Sequence, residues 1–264
     1  GADKAALPDL LAAFPPEMQQ EHARAIESHR LRGEIVATKI ANRIVNRLGL
    51  IHPFELAEEE GCTLADVAEA FVIVEQVYDV PMLWKAIETG DMAEATRILL
   101  FEQVAVEMRA HMADILRNSV EERSNDKAIA AYRPAVEMLA KSLDTILPAE
   151  TRRQTRAFEE RLLNAGAPRK ITDRLVQLAE LDGAIGVAAL SARAGVDVLV
   201  TTRAFTALGE ALGLDWAQGT AMQLAPRDPW ERLLAAGLAR DFQAMRLDFL
   251  ARHGGKKPID AVEK

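Results

Sequence analysis

Apolar residues spaced three and four apart, set in long runs of Ala, Leu, Glu and Arg, occupy this chain almost from start to finish. These are helix formers in a helical period, and they constrain the fold to the all-α class before anything else is considered. The strongest segment is Glu17 to Leu48, where Leu31, Ile35, Ile40, Ile44 and Leu48 follow at spacings of 4, 5, 4 and 4 along one expected face. Gly49 stands where a C-terminal cap belongs. A short helix is expected from Pro53 to Glu60, closed by Gly61. Thr63, with Asp66 three residues on, reads as a capping box that opens a helix to about Tyr78. Pro81 can start the next short helix as its first residue, where its missing N–H costs nothing, and Asp91 with Glu94 opens a long one toward Asn118. Further helices are expected near 126–146, 149–165, 168–180, 183–194, 196–212, 214–223 and 229–252. The last has Asp228 as cap, Pro229 at the first position and Glu231 at the third.

The run VDVLVTT at 196–202 has the β-branched content of a strand, but an internal repeat argues for helix. A shift of 131 residues lays Arg30–Val67 on Arg161–Val198 without a gap, with ten identities in thirty-eight pairs. Among them are Arg30/Arg161, Lys39/Lys170, Arg43/Arg174 and Asp66/Asp197. In that register VDVLVTT pairs with ADVAEAF, which is patterned as a helix. The period is too long for solenoid repeats of roughly 20–50 residues. The expected architecture is therefore a multi-helix bundle of two related halves. The first spans 1–147 with its repeat core at 30–67, and the second spans 148–253 with its core at 161–198. A polar tail, 254–264, is expected to be flexible.

A chain of 264 residues can bury a sizeable core, and its 49% hydrophobic, 27% charged composition is that of a soluble globular protein. Thirty-two Lys and Arg against forty Asp and Glu leave −8, which opposes general nucleic-acid binding. No apolar run approaches the roughly 18 residues that span a bilayer, and the N-terminus has no secretory signal pattern. The single cysteine, Cys62, allows no internal disulfide and suits a reducing cytoplasm. Because the chain begins on Gly1, it reads as an excised piece or as what tag removal leaves.

The search for reaction chemistry is mostly negative. A dinucleotide site needs a glycine-rich turn between a strand and a helix, whereas GAIG at 183–186 and GEALG at 209–213 have neither the spacing nor the strand. Both are read as helix-packing or cap glycines. No phosphate-binding loop is present, since Leu250 stands where its first glycine should be. Glu107 and His111 are four apart on one helix, enough for two ligands of a metal, but no third is evident, and an ion pair or a partly buried histidine is preferred. Cys62 precedes a helix start, where a thiolate is stabilised, yet packing beneath the next helix is the favoured reading. No catalytic, cofactor or metal residue is assigned.

One segment stands out in charge. Residues 24–47 carry six bases and two acids, and residues 54–69 then carry six acids and no base. The two stretches either face each other or are solvated, or the basic one docks on an acidic surface of a partner or neighbouring domain, with nucleic acid the least favoured alternative. On the basic segment Thr38, Asn42 and Asn46 form a polar ladder four residues apart, and asparagine is a poor helix-interior residue because it competes for backbone bonds. Leu31, Ile35, Ile40 and Ile44 are expected to pack inward. Arg30, Arg32, Thr38, Asn42 and Asn46 are the candidate interdomain contacts.

HRLRGEIVATKIANRIVNRLG at 29–49 resembles a signature in the C-terminal region of the large bacterial NAD-dependent glutamate dehydrogenases. The match is carried by His29, Leu31, Arg32, Glu34, Ile35, Ala37, Thr38, Asn42 and Asn46. GCTLADVAEAFVIVEQVYDVPMLWKAIE (61–88), LGEALGLDWAQ (208–218) and DPWERLLAAGLARDF (228–242) are similar to the same family, so the resemblance covers nearly the whole chain. One departure is Gly33, where that signature has a second arginine; a mid-helix glycine costs about 1 kcal/mol against alanine. The resemblance implies a helical C-terminal domain of a much longer, oligomeric enzyme. Its upstream dehydrogenase domain binds NAD and oxidises L-glutamate to 2-oxoglutarate and ammonia. This segment would hold no cofactor and would serve domain packing, oligomer assembly or regulation. The alternative is a stand-alone all-helical protein-interaction module.

Overall fold

The helical spacing folds, in a computed structural model, into fifteen α-helices with no strand among the described residues, which are 7–118, 125–223 and 229–253. The N-terminal third departs from expectation. Instead of one helix from Glu17 to Leu48 there are α1 (Leu7–Leu11), α2 (Pro16–Glu21), α3 (Ala23–Glu27) and then α4 (Arg32–Leu48). Side chains break the longer helix by competing for its backbone groups. The Ser28 hydroxyl donates back to the Arg24 and Ala25 carbonyls, and His29 Nδ1 accepts the Leu31 N–H at 3.1 Å.

The next elements follow their local signals closely. Gly61, in the left-handed conformation at φ 63°, ends α5 (His52–Glu60). The capping box of Thr63 and Asp66 opens α6 (Leu64–Val77), and the Thr63 bonds hold the Asp66 carboxyl below its usual range. Asp79, with φ 51°, turns the chain into α7 (Val80–Thr89), which has its proline in the first turn, and α8 (Glu94–Asn118) follows. Then come α9 (Asn125–Ile146), α10 (Ala149–Asn164), α11 (Arg169–Glu180) and α12 (Ala184–Ala194). VDVLVTT is helical: Asp197 caps α13 (Val198–Leu212) through the Leu199 and Val200 N–H groups. The last two are α14 (Leu214–Gln223) and α15 (Pro229–His253). The expected cap at Asp228 and the tail from Gly254 lie outside the described residues.

Two short apolar helices, α6 and α12, occupy the centre, and each packs on both α8 and α9. Each is buried on most of its circumference, as a helix that is apolar all round must be. Phe71, Trp84, Met108, Leu175 and Ile185 belong to one hydrophobic cluster that runs from Ile44 to Leu250 and crosses residue 147. The relation between two halves is not confirmed. The 131-residue register pairs α6 with α13, whereas the helix that shares the centre with α6 is α12. It also lays Ile35, inside α4, on Gly166 in the turn between α10 and α11. The division at 147/148 rests on the sequence repeat alone. Among the described residues no single helix is long and apolar enough to cross a membrane.

Candidate functional site

No ion pair joins the acidic run on and after α5 to the basic run on α4 among the described residues. Glu59 and Glu60, each only 5% exposed, are clamped from the other side. Arg109 of α8 reaches Glu55 at 3.0 Å and Glu59 at 3.1 Å, Arg117 reaches Glu60 at 2.7 Å, and Arg240 of α15 bridges Glu59 and Glu60. On α4, Arg43 pairs with Asp9 of α1 and with Glu75 of α6 at 2.9 Å, and Arg47 pairs with Glu88 while lying over the Trp84 ring. Burial pushes the Glu75 carboxyl up to about 7, overriding the pull of Arg43. Among the described residues Arg24, Arg30 and Arg32 make no ion pair, and all three are exposed.

Ile44 and Leu48 face the core as expected, with Ile40 partly buried, but Leu31 is exposed and Ile35 does not join them. The reason is geometric: the five-residue step from Ile35 to Ile40 turns the helix by about 140°, so those two side chains leave on different faces. Thr38, Asn42 and Asn46 are exposed on the outer face, with Arg32 at the first residue of α4 and Arg30 just before it. The Thr38 hydroxyl donates to the Glu34 carbonyl at 2.8 Å, and neither asparagine side chain has a hydrogen bond among the described residues. The ladder therefore makes no helix–helix hydrogen bond among the described residues. Past Gly49 the surface turns apolar, with Leu50, Ile51 and Phe54 all more than half exposed.

A second feature lies on the far side of α8. A cleft of about 480 Å³ opens between α8, α9, α10, the α11–α12 turn, α13, α14 and α15. Glu107 lines it, and burial together with Asp182 pushes its carboxyl up to about 8. His111, one turn on, does not join Glu107 as a ligand. It is fully buried, stacked on Tyr78 with ring centroids 4.0 Å apart, and its Nε2 lies 3.0 Å from the Leu178 carbonyl. Burial lowers its pKa. No group of three or more His, Cys, Asp or Glu converges as a metal site among the described residues. Sequence reasoning passed over the cleft, although a signal was available: Glu107 and Asp114 interrupt the buried stripe of Leu100, Val104, Met108, His111 and Ile115 on α8.

Asp114 caps the glycine run at 183–186. Its buried carboxylate accepts from the Ile185 N–H at 3.0 Å and the Gly186 N–H at 3.1 Å, the donors a pyrophosphate would need at the start of α12. Burial drives this carboxyl up to about 7 despite those bonds. A Cβ on Gly186 would stand 2.5 Å from Leu247 Cδ1, and one on Gly209 would stand 2.5 Å from Arg246 Nη1. Both are packing glycines, as the sequence indicated. Cys62 is half-buried against the core, and burial with Asp66 and Glu60 nearby raises its thiol pKa, opposing a reactive thiolate.

The described residues form an all-helical domain in which the outer face of α4 is polar and exposed. Its sequence matches the family described as glutamate dehydrogenase, C-terminal, over residues 2–252, and the chain belongs to that family. It is 28% identical over 260 residues to the NAD-specific glutamate dehydrogenase of Pseudomonas aeruginosa, covering 96% of this chain and 16% of that protein. It is 26% identical over 262 residues to the enzyme of the same name from Halomonas elongata, covering 95% and 16%. The Mycobacterium tuberculosis NAD-specific glutamate dehydrogenase is 22% identical over 232 residues, covering 86% and 14%. The chain thus spans about one sixth of the length of the curated relatives it matches.

Proposed function

We propose that this chain is the noncatalytic C-terminal helical domain of a large NAD-dependent glutamate dehydrogenase. In that reading the NAD site and the conversion of L-glutamate to 2-oxoglutarate, ammonia and NADH reside in an upstream domain, within an oligomeric, cytoplasmic enzyme that engages neither nucleic acid nor membrane. The helical domain packs on the rest of the enzyme and supports assembly or regulation. The observation that carries this is the outer face of α4 and the residue leading into it: the side chains of Arg30, Arg32, Asn42 and Asn46 are exposed and make no hydrogen bond or ion pair among the described residues, and that of Thr38 bonds only the Glu34 carbonyl of its own helix. That same segment holds the residues most specific to the family resemblance. The capping role of Asp114 supports the absence of an NAD site here.

Arg32→Ala tests the assignment by two readings on one variant. In a protein of the relatives' full length it is expected to weaken assembly or activity, and in this chain alone to leave the melting temperature within about 2 °C, as exposed substitutions do. Loss of stability in the chain alone with assembly intact would overturn the docking role. A stand-alone interaction module is the competing account, and a reading frame with no dehydrogenase segment upstream would favour it.

A further inference from the structure

The outer face of α4 carries a second pattern, offset from the one that packs inward. Leu31, Ile35, Thr38, Asn42 and Val45 follow at spacings of 4, 3, 4 and 3, the alternation that keeps one seam of a helix turned toward a neighbouring helix. None of its apolar members belongs to the hydrophobic core cluster. Leu31 is 45% exposed and Val45 44%, Ile35 is half-buried, and Thr38 and Asn42 are exposed. Asn42 stands in the middle of this seam, where a single amide between paired helices fixes their register at some cost in stability. The flanks are unequal: Arg32 and Lys39 border the seam on one side, Glu34 and Ala41 on the other. Lys39 is taken up by the Ala12 carbonyl at 3.2 Å, whereas Arg30 and Arg32 make no ion pair among the described residues.

We infer that α4 receives an α-helix from the part of the full-length enzyme outside this chain, packed along the seam from Leu31 to Val45 and carrying carboxylates beside Arg30 and Arg32. This rests on the docking role proposed above and names its partner. About five-sixths of the relatives' length lies outside this chain, and that is the source of the occupant. A helix fits because only a helix repeats the alternation of three and four, and α4, at 17 residues, offers it about 25 Å of seam. The short side chains of Thr38, Asn42 and Val45 let the two axes approach to the usual roughly 8–10 Å. A second copy of α4 fits less well. Laid antiparallel, the flank of Arg32 and Lys39 meets its own copy; laid parallel, Arg30 and Arg32 of both copies crowd at one end while Lys39 is already engaged. Past Gly49 the exposed Leu50, Ile51 and Phe54 extend the apolar surface that the partner covers.

The test uses a protein of the relatives' full length that contains this chain, with photo-reactive benzoylphenylalanine in place of Thr38 or of Val45. Irradiation and peptide mapping are expected to attach both positions to one upstream segment that carries Asp or Glu, at points about seven residues apart, two turns of a paired helix. Attachment to a second copy of this domain, to points without that spacing, or to a segment lacking acids would overturn the inference and leave the docking role standing. Because a bulky probe can itself block docking, Val45→Asp supplies a second arm. In the long protein it is expected to speed hydrogen exchange of the Arg32–Leu48 peptides about tenfold, to the rate of this chain alone. In this chain alone it is expected to leave the melting temperature within about 2 °C. If α4 stays protected in the Val45→Asp long protein, the seam is not the contact and the inference fails by itself. If α4 exchanges equally in the unsubstituted long protein and in this chain, the docking role and the inference fail together.

Discussion

The acidic stretch on α5 and the basic helix α4 adjoin in the chain, carry opposite charge, and meet opposite fates. Glu59 and Glu60 on α5 are buried against three arginines drawn from α8 and α15, the last more than 100 residues away in sequence. The inner side of α4 is likewise spent, on Asp9, Glu75 and Glu88. Its outer side is not: Arg32, Thr38, Asn42 and Asn46 face solvent. The contrast teaches that complementary charge at short sequence distance does not make a pair. Burial selects which charges must be matched, and charges that folding does not bury remain available to another surface.

The largest expected effect lies in the α5 network. Glu59→Ala leaves Arg109 and Arg240 partly buried with one carboxylate fewer between them, and breaking a buried pair in this way costs about 3–5 kcal/mol. Urea unfolding of this variant beside Arg32→Ala measures the comparison directly. The Arg32 change is expected to stay within about 0.5 kcal/mol. Similar losses in both variants would break the contrast between the two stretches.

A smaller effect sharpens the division between the two sides of α4. Glu75 under α4, Asp114 and Glu107 all have raised carboxyl pKa values in the folded chain, about 7, 7 and 8. At these three sites the folded chain holds more protons than the unfolded one between the ordinary carboxyl range and about pH 8, with buried His111 opposing them at the acid end. The stability these groups contribute is fully present below the unfolded values and is lost as pH rises through the folded ones. Scanning calorimetry should give a higher melting temperature at pH 5.5 than at pH 8.5. Glu75→Gln should flatten that slope and Arg32→Ala should leave it unchanged. A melting temperature that rises with pH over this interval would contradict the assignment.

Where a helix starts and stops was largely legible in the sequence, because caps act over three or four residues. Thr63–Asp66, Gly61 and the proline of α7 all did what their spacing indicated. The break before α4 was hidden because Ser28 and His29 disrupt it through side-chain bonds that the apolar period does not register. The inward placing of Leu31 and Ile35 followed from accepting a five-residue step as part of one face. The partners of Glu59 and Glu60 were not legible at all, since Arg109, Arg117 and Arg240 reach them only through the packing of α5 on α8 and α15. Glu107 and Asp114 left a trace as acids in the apolar register of α8, although spacing alone does not distinguish a helix cap from a cleft wall.

The central claim is that the outer face of α4 is covered in the larger enzyme, and hydrogen exchange tests it most directly. Peptides covering Arg32–Leu48 are compared between this chain alone and a protein of the relatives' full length, with the buried helix α6 as internal reference. The expected result is exchange slowed by about tenfold or more across α4 in the long protein, with α6 little changed, because docking suppresses local opening where it occurs. Equal exchange of α4 in the two proteins would contradict the claim.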